Sequence, residues 1–449
     1  MNTAGKVVAL YLAALAAMLS AFELFGPTVL MVPGLLLRAG RDLKPGMRVA
    51  SLALWGMVFS AIFHRWSLHY GPWPWVGLIL ARGLPWMLFP LPHLFICRMK
   101  SESSGLRIVS GALGYSLVTL ALLLGPTGND WETPMAALTA QPWCLSTLPW
   151  LGLVGGSLLL GLSSCLMIGT EPRQAVAGVA TLLVWGCLSW AAFAPSKPAE
   201  MPPVSLLQTG WAQDKKWDKA SIGEAKVRLF QLTEEAAASG AQLVVWPETA
   251  WPNRGMRRRF SDSRAIGKLA RRLKIQLLAT SIEETDDEHW INSVSQVLPS
   301  GKFGQEYQKL RLAPFAEYIP LPESVQESLR AYQPFSYISR FVPGTRQEVM
   351  ELDELRYSVL ICFESQVPWP SATLAEKVDF LVVVTNDAPM VDEAPKEHHF
   401  RSAVLRAAQF QKPIFQASNN GVTGIVGCGG EVLMRSAPGF TGAGVFQLP

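Results

Sequence analysis

Glu248 in Trp246-Pro247-Glu248, Lys309 in Tyr307-Gln308-Lys309 and Cys362 in Ile361-Cys362-Phe363-Glu364 are a carboxylate, an amine and a thiol spread far along the chain. Together they are the parts needed to activate a sulfur nucleophile and hold an acyl intermediate. A thiol with an ordinary pKa of about 8.5 is mostly protonated at neutral pH and needs a base such as Glu248. A fixed ammonium such as Lys309 would stabilise both the thiolate and the oxyanion of acyl transfer. Each residue also has an ordinary reading. An isolated Cys at a strand end is a small buried hydrophobe, a Glu after Trp-Pro is a turn or cap residue, and a lone Lys is solvated. Spacing alone leaves both readings open.

The elements that must position these groups lie in residues 204–449. A Pro-rich linker (196–203, with Pro198, Pro202 and Pro203) opens this half. The pattern predicts strands at Val204–Thr209, Gln242–Trp246, Ile275–Ser281, Ser293–Leu298, Tyr357–Cys362 and Phe380–Thr385, and three closing strands at 413–418, 421–427 and 431–434. Helices are predicted over 222–239, 262–273, after Pro370 and over 396–411, with Lys309 in a loop. Runs such as Leu243-Val244-Val245 and Phe380–Val384 read as strands buried on both faces. The β-rich tail argues for packed sheets with helices outside. Glu248 and Cys362 stand at carboxyl ends of strands, where such folds gather functional groups.

Residues 1–195 are of a different kind. The chain-wide 49% hydrophobic and 16% charged conceal a split, because the first half is dominated by Leu, Ala, Val, Gly and Trp. Candidate membrane spans fall at 7–25, 27–38, 48–64, 74–97, 107–125, 144–168 and 174–194, most of them near the roughly 20 apolar residues that cross a bilayer. The second is short and Pro-bounded. Basic loops at 39–47, 98–106 and 170–173 alternate with 126–141, which has Asp130 and Glu132 but no Lys or Arg. Seven spans with the basic loops inside put everything after 195 outside. Trp66, Trp73 and Trp75 read as an interfacial belt. Glu23, near the end of its span, either faces a polar cavity or reaches the interface.

A net charge of +4, dispersed and without a basic stripe, gives no sign of nucleic-acid binding. The six cysteines follow no metal or disulfide spacing. Four of them lie in or beside apolar runs, which leaves Cys362 and Cys428 in the second half.

The blocks Val244-Val245-Trp246-Pro247-Glu248-Thr249-Ala250, Tyr307-Gln308-Lys309, Leu312-Ala313-Pro314-Phe315-Ala316-Glu317-Tyr318-Ile319-Pro320 and Ile361-Cys362-Phe363-Glu364 resemble the nitrilase (carbon–nitrogen hydrolase) superfamily. More narrowly they resemble its membrane branch, the apolipoprotein N-acyltransferases, as do Thr385-Asn386-Asp387-Ala388, Ser418-Asn419-Asn420-Gly421 and the multi-span amino-terminal region. The resemblance implies a multi-span helical membrane domain followed by an α/β nitrilase-type αββα sandwich on the periplasmic side of a bacterial inner membrane. It implies Glu248 as general base, Lys309 as oxyanion partner and Cys362 as nucleophile. Glu317 would support the carboxylate and the lysine, Glu364 would lie beside the nucleophile, and the N–H of Phe363 would complete the oxyanion hole. Trp217 matches an aromatic near the substrate entrance. The implied reaction moves an acyl chain from a phospholipid through a Cys362 thioester to the α-amine of a diacylglyceryl-cysteine on an apolipoprotein, with no cofactor and no metal.

The chain departs from the pattern at several places. Phe363 replaces a Tyr, Pro389-Met390-Val391 replaces Trp-Phe-Gly, and His398-His399 replaces Gln-His. The family pattern closes with a final transmembrane helix, whereas this chain stops at Pro449, which leaves anchoring from the amino end alone or a shortened sequence. Two further readings stand beside the acyltransferase: a membrane-tethered amidase that lets water resolve the thioester, and a non-catalytic member that binds lipoproteins.

Overall fold

The computed structural model describes residues 3–99, 103–125, 127–169, 171–195, 202–216, 218, 220–330, 341–368, 374, 376–437, 439–440 and 442–448. The chain divides into two compact units, Met1–Ala194 and Pro195–Pro449.

Long apolar runs with a polar or proline start make the first unit helical. Its helices are α1 (Thr3–Glu23), α2 (Val32–Ala39), α3 (Pro45–Phe63), α4 (Pro72–Ile96), α5 (Ser104–Leu123), α6 (Leu148–Met167) and α7 (Pro172–Ala192). Proline opens α3, α4 and α7, where its missing N–H costs nothing. Ser103 caps α5 by accepting the Leu106 N–H at 3.2 Å. Inside α4, Pro85 converts Leu84–Leu88 to 3-10 geometry. Among the described residues six of these helices are long and apolar enough to cross a membrane, and the protein is a multi-pass membrane protein.

The expected span at 27–38 is not of that length. It consists of six residues of 3-10 helix, Gly26–Met31, running into the eight of α2. It nevertheless runs the depth of the bundle. Gly26 abuts the Ala137 carbonyl, Gly34 donates to Ser164 Oγ at 2.9 Å, and Gly40 lies against Arg48. A Cβ on Gly34 would come within 2.6 Å of the Ser164 carbonyl oxygen, so glycine is what lets α2 seat against α6. At the end of this path Arg38, Arg41, Arg48 and Arg107 line a cavity with apolar walls that include Leu52, Phe89 and Ile168.

Asp130 and Glu132, the two acidic residues of the 126–141 loop, are buried. Glu132 pairs with Arg82 of α4, which is 2% exposed. All five Arg82 N–H groups find acceptors: Glu132, the carbonyls of Leu122 (2.6 Å), Thr127 (3.2 Å) and Asn129 (3.3 Å), and Asn129 Oδ1 (3.2 Å). Glu23 sits at the exposed end of α1 and pairs with Arg65 at 3.1 Å, so it reaches the helix end rather than an internal cavity. Trp73 is 80% exposed, while Trp75 donates to the Ala61 carbonyl at 2.9 Å and Trp66 packs on Trp131.

The second unit is built on two six-stranded sheets. The strands are β1 (Val204–Gln208), β2 (Leu243–Val245), β3 (Gln276–Glu284), β4 (Trp290–Val297), β5 (Phe303–Gln308), β6 (Met350–Leu352), β7 (Leu355–Ile361), β8 (Phe380–Thr385), β9 (Ile414–Ser418), β10 (Gly424–Val426), β11 (Val432–Arg435) and β12 (Gly444–Phe446). One sheet has the order β12-β1-β2-β3-β4-β5 and the other β11-β10-β9-β8-β7-β6. In each, a parallel trio, β1-β2-β3 or β7-β8-β9, is flanked by antiparallel edges. Alternate residues explain the layering. Leu206 and Val245 join Val359, Ile361, Val382 and Phe415 in a core between the sheets. Their neighbours Leu207 and Val244 face the other way, against Leu229, Leu232 and Ala236 of α8 (Ile222–Ala238) and Ile266 and Ala270 of α9 (Phe260–Leu273). Helix α10 (Glu393–Phe410) packs on β9 and β10, covering the second sheet. The result is the nitrilase-type αββα sandwich that the resemblance implies.

Lys309 lies in a loop, as expected, directly after the strand β5, and β5, β6 and β12 are strands that the sequence pattern does not reveal. The helix expected after Pro370 falls largely outside the described residues.

Candidate active site

The carboxyl ends of the two parallel trios hold Glu248 and Cys362, and the end of the edge strand β5 brings Lys309 to them. Glu248 follows β2, with the Pro247 carbonyl accepting from Thr280 Oγ1. Both its carboxylate oxygens are engaged: Oε1 accepts from Asn292 Nδ2 at 2.7 Å and Lys309 Nζ at 3.4 Å, and Oε2 from the Asn386 N–H at 2.8 Å. Lys309 Nζ also meets Glu317 Oε2 at 2.7 Å and is 1% exposed. Glu317 is held in turn by Asn292 Nδ2 at 3.0 Å and by the Ala313 N–H at 2.7 Å. One asparagine amide therefore bridges two carboxylates that share one ammonium. Burial pulls the Lys309 amine down, but Glu317, Glu248 and Cys362 more than offset it, and its pKa stands above the ordinary lysine range.

Cys362 is the first residue of a 3-10 turn, Cys362–Gln366, at the end of β7. Its φ is +53°, the left-handed region that non-glycine residues seldom adopt. Thr249 (φ +51°) beside the glutamate and Phe315 (φ +59°) in the Ala313–Glu317 turn share that conformation. Such residues cost about 1–3 kcal/mol each and gather at functional sites. Cys362 is partly exposed, whereas Phe363 to Gln366 are buried. Burial, then the charge of Glu248, push the Cys362 thiol well above its ordinary pKa, and Lys309 pulls the other way. The resting sulfur therefore carries its proton.

Glu364 has a different task from its neighbour. Fully buried, it accepts from the Ile361 N–H (2.7 Å), the Leu310 N–H (2.7 Å), the Arg311 N–H (3.0 Å) and Tyr307 Oη (2.8 Å). It ties the cysteine turn to the segment that carries Lys309. Trp217 lies outside the described residues. The altered turn 389–391 follows β8, with Met390 N–H on the Asp387 carbonyl at 2.9 Å and Val391 65% exposed.

Two groups at this site, Asn292 and Lys216, are not picked out by the sequence, and a further pair lies within motifs to which the sequence assigns no role. Asn292 sits inside β4, where an inward polar residue is not distinguishable by pattern. Lys216, 5% exposed, donates to the Glu248 carbonyl at 3.1 Å and to Thr249 Oγ1 at 2.6 Å. Asp387 and His399, both fully buried, form a pair at 2.8 Å. A Cβ on Gly421 would lie 2.1 Å from Asp387 Oδ2, so this glycine is what leaves room for the carboxylate. Among the described residues no His, Cys, Asp or Glu cluster could hold a metal ion.

A fold of two mixed sheets between helices, with a carboxylate, an ammonium and a thiol at its strand ends, defines a class. The carbon-nitrogen hydrolase family matches residues 204–441, more than half of the chain, and the chain belongs to that family. Its similarity to individual proteins extends beyond those residues. It is 28% identical over 380 residues to the apolipoprotein N-acyltransferase of Brucella suis biovar 1 (strain 1330), covering 80% of this chain and 70% of that one. The enzyme of that name from Gloeobacter violaceus is 28% identical over 394 residues, 83% of this chain and 74% of its own. For Azotobacter vinelandii the figures are 28% over 465 residues, 96% and 86%.

Proposed function

We propose that this protein is an apolipoprotein N-acyltransferase of the bacterial inner membrane, with residues 204–449 working on the periplasmic side and residues 1–195 as its membrane domain. The observation that carries this reading is the buried Glu248–Lys309–Glu317 cluster beside Cys362 in a chain that also has six membrane-length helices. Both substrates would be lipids, and confinement beside the bilayer raises their effective concentration.

In the first half-reaction Cys362 Sγ attacks the ester carbonyl of a phospholipid. Because the resting thiol is protonated, the proton passes to Glu248 as the S–C bond forms. Lys309 Nζ and the Phe363 N–H stabilise the tetrahedral oxyanion. Its collapse breaks the C–O bond, and the departing alkoxide takes the proton from Glu248, which leaves a thioester and a lysophospholipid. In the second half-reaction the neutral α-amine of a diacylglyceryl-cysteine attacks the thioester and gives its proton to Glu248. The S–C bond breaks, the sulfur recovers the proton and an amide leaves. Glu317 and Asn292 hold the carboxylate and the amine in place throughout.

The test uses the full-length protein in detergent with a phospholipid and a synthetic diacylated lipopeptide, followed by mass spectrometry. Triacylated peptide and an acyl adduct on Cys362 are expected, and Cys362→Ala should remove both while leaving a folded protein. Product formation by that variant would refute the thioester route, and free fatty acid in place of triacylated peptide would favour the amidase reading.

A further inference from the structure

Beneath the cysteine turn lies a buried pair that the mechanism above does not use. His399 Nδ1 faces Asp387 Oδ1 at 2.8 Å, and His399 Nε2 faces the Cys362 carbonyl oxygen at 3.2 Å. A carbonyl oxygen can only accept. Asp387 behaves as an acceptor too, since its other oxygen takes bonds from Ser418 Oγ at 3.0 Å and Thr385 Oγ1 at 3.2 Å. Both ring nitrogens of His399 therefore donate, and the ring is an imidazolium. The electrostatics agree. Burial disfavours the charge on His399, yet Asp387 outweighs burial and lifts its pKa. The same partnership keeps the Asp387 carboxyl below the ordinary range despite burial.

The carbonyl that His399 grips belongs to the peptide joining Cys362 to Phe363, and Ser365 Oγ donates to the same oxygen at 3.0 Å. A trans peptide is planar, and its N–H points opposite to its C=O. Fixing the oxygen fixes the direction of the Phe363 N–H, and a cation on the oxygen polarises the whole unit and strengthens that N–H as a donor. We propose that His399, anchored by Asp387, is a positioning residue that aims and sharpens the Phe363 N–H as the oxyanion donor of this site. It touches neither substrate nor the sulfur. It acts through one peptide bond, and it also holds the left-handed Cys362 in place.

The inference rests on the acyl-transfer reading, so its test uses two reactions of the same sulfur that need different help. Acylation of Cys362 by a p-nitrophenyl ester passes through an oxyanion, whereas alkylation by iodoacetamide does not. In the full-length protein, His399→Leu should slow the nitrophenolate burst by about 10²-fold, the scale of losing one oxyanion donor, with KM unchanged and alkylation within about threefold of wild type. The double variant His399→Gln with Asp387→Asn leaves no unpaired buried carboxylate and keeps an N–H donor for the Cys362 carbonyl. It guards against a folding failure and should recover about tenfold of the loss. Ser365→Ala should cost several-fold in the same reaction. Acylation and alkylation falling together would mark His399 as merely structural and overturn the proposal, as would unchanged acylation or a wild type with no burst. A wild type that shows the burst but yields no triacylated peptide would sink the lipoprotein reading and leave the role of His399 standing.

Discussion

Two buried cation–carboxylate clusters, one in each unit, use similar parts for different ends. In the membrane unit Arg82 meets a single carboxylate, Glu132, and spends its remaining N–H groups on four oxygens of residues 122–129. Every donor is satisfied, and the cation is locked to one segment of chain. In the second unit Lys309 meets two carboxylates, Glu248 and Glu317, and a thiol stands within their field. A saturated pair is a fastener. A cluster with more carboxylate than ammonium, next to a sulfur, is the arrangement that the proposed acyl transfer would use. The lesson is that burial of charge alone does not single out a candidate site, whereas the imbalance of partners does.

This contrast can be tested from both sides. The largest effect is expected for Glu248→Gln, which keeps the hydrogen-bonding shape but removes the base. Acylation of Cys362 followed by mass spectrometry should slow by about 10²–10⁴-fold, with little change in thermal midpoint, and a normal rate would remove Glu248 from the role of base. Arg82→Met should do the reverse. It strands Glu132 in the bundle and should cost about 3–5 kcal/mol of stability, read as a lowered midpoint in detergent, while the folded fraction keeps its Cys362 reactivity. Adding Glu132→Leu should restore much of the midpoint, and failure to do so would mean the pair is more than a fastener.

The smallest effect concerns Lys216. Burial, only partly offset by Glu248, draws its amine down to about 7, against 10.5 for the free side chain. Between those values the unfolded chain binds the extra proton, so this group makes stability rise with pH by at most about 1.4 kcal/mol per unit. Lys216→Met should flatten that rise between pH 7 and 9.5 when the thermal midpoint is followed across buffers. An unchanged slope would show that Lys216 stays charged beside the glutamate.

Much of this arrangement was legible in the chain. The doubly buried strands β2 and β8 announce themselves through continuous apolar runs, and the helix faces of α8 and α9 through their period. Strand β5 does not, because Phe303-Gly304-Gln305-Glu306-Tyr307-Gln308 is an edge strand in which only Tyr307 is buried. The same holds for β6 and β12, which are short edges. Of the site residues, Glu248, Lys309 and Glu317 stand together through direct bonds. Cys362 joins them through their charges and through the chain of Asn386, Asp387 and His399 contacts. Asn292, Lys216 and Arg82 were not legible because their partners lie 25 to 50 residues away in sequence and no recognisable motif marks them. Only folding brings a polar side chain in an apolar run to its acceptor.

The abbreviated path from Gly26 to Ala39 has a physical consequence for how it is held in the bundle. Six residues of 3-10 helix and eight of α-helix rise about 24 Å in all, less than the roughly 30 Å of a hydrocarbon core. Such a segment cannot carry itself across the layer, and its surroundings come from its neighbours: Val29, Val32, Leu35, Leu36 and Ala39 are all buried among the longer helices. Its seating therefore depends on the bundle rather than on contact with lipid, and it ends at the cavity lined by Arg38, Arg41, Arg48 and Arg107.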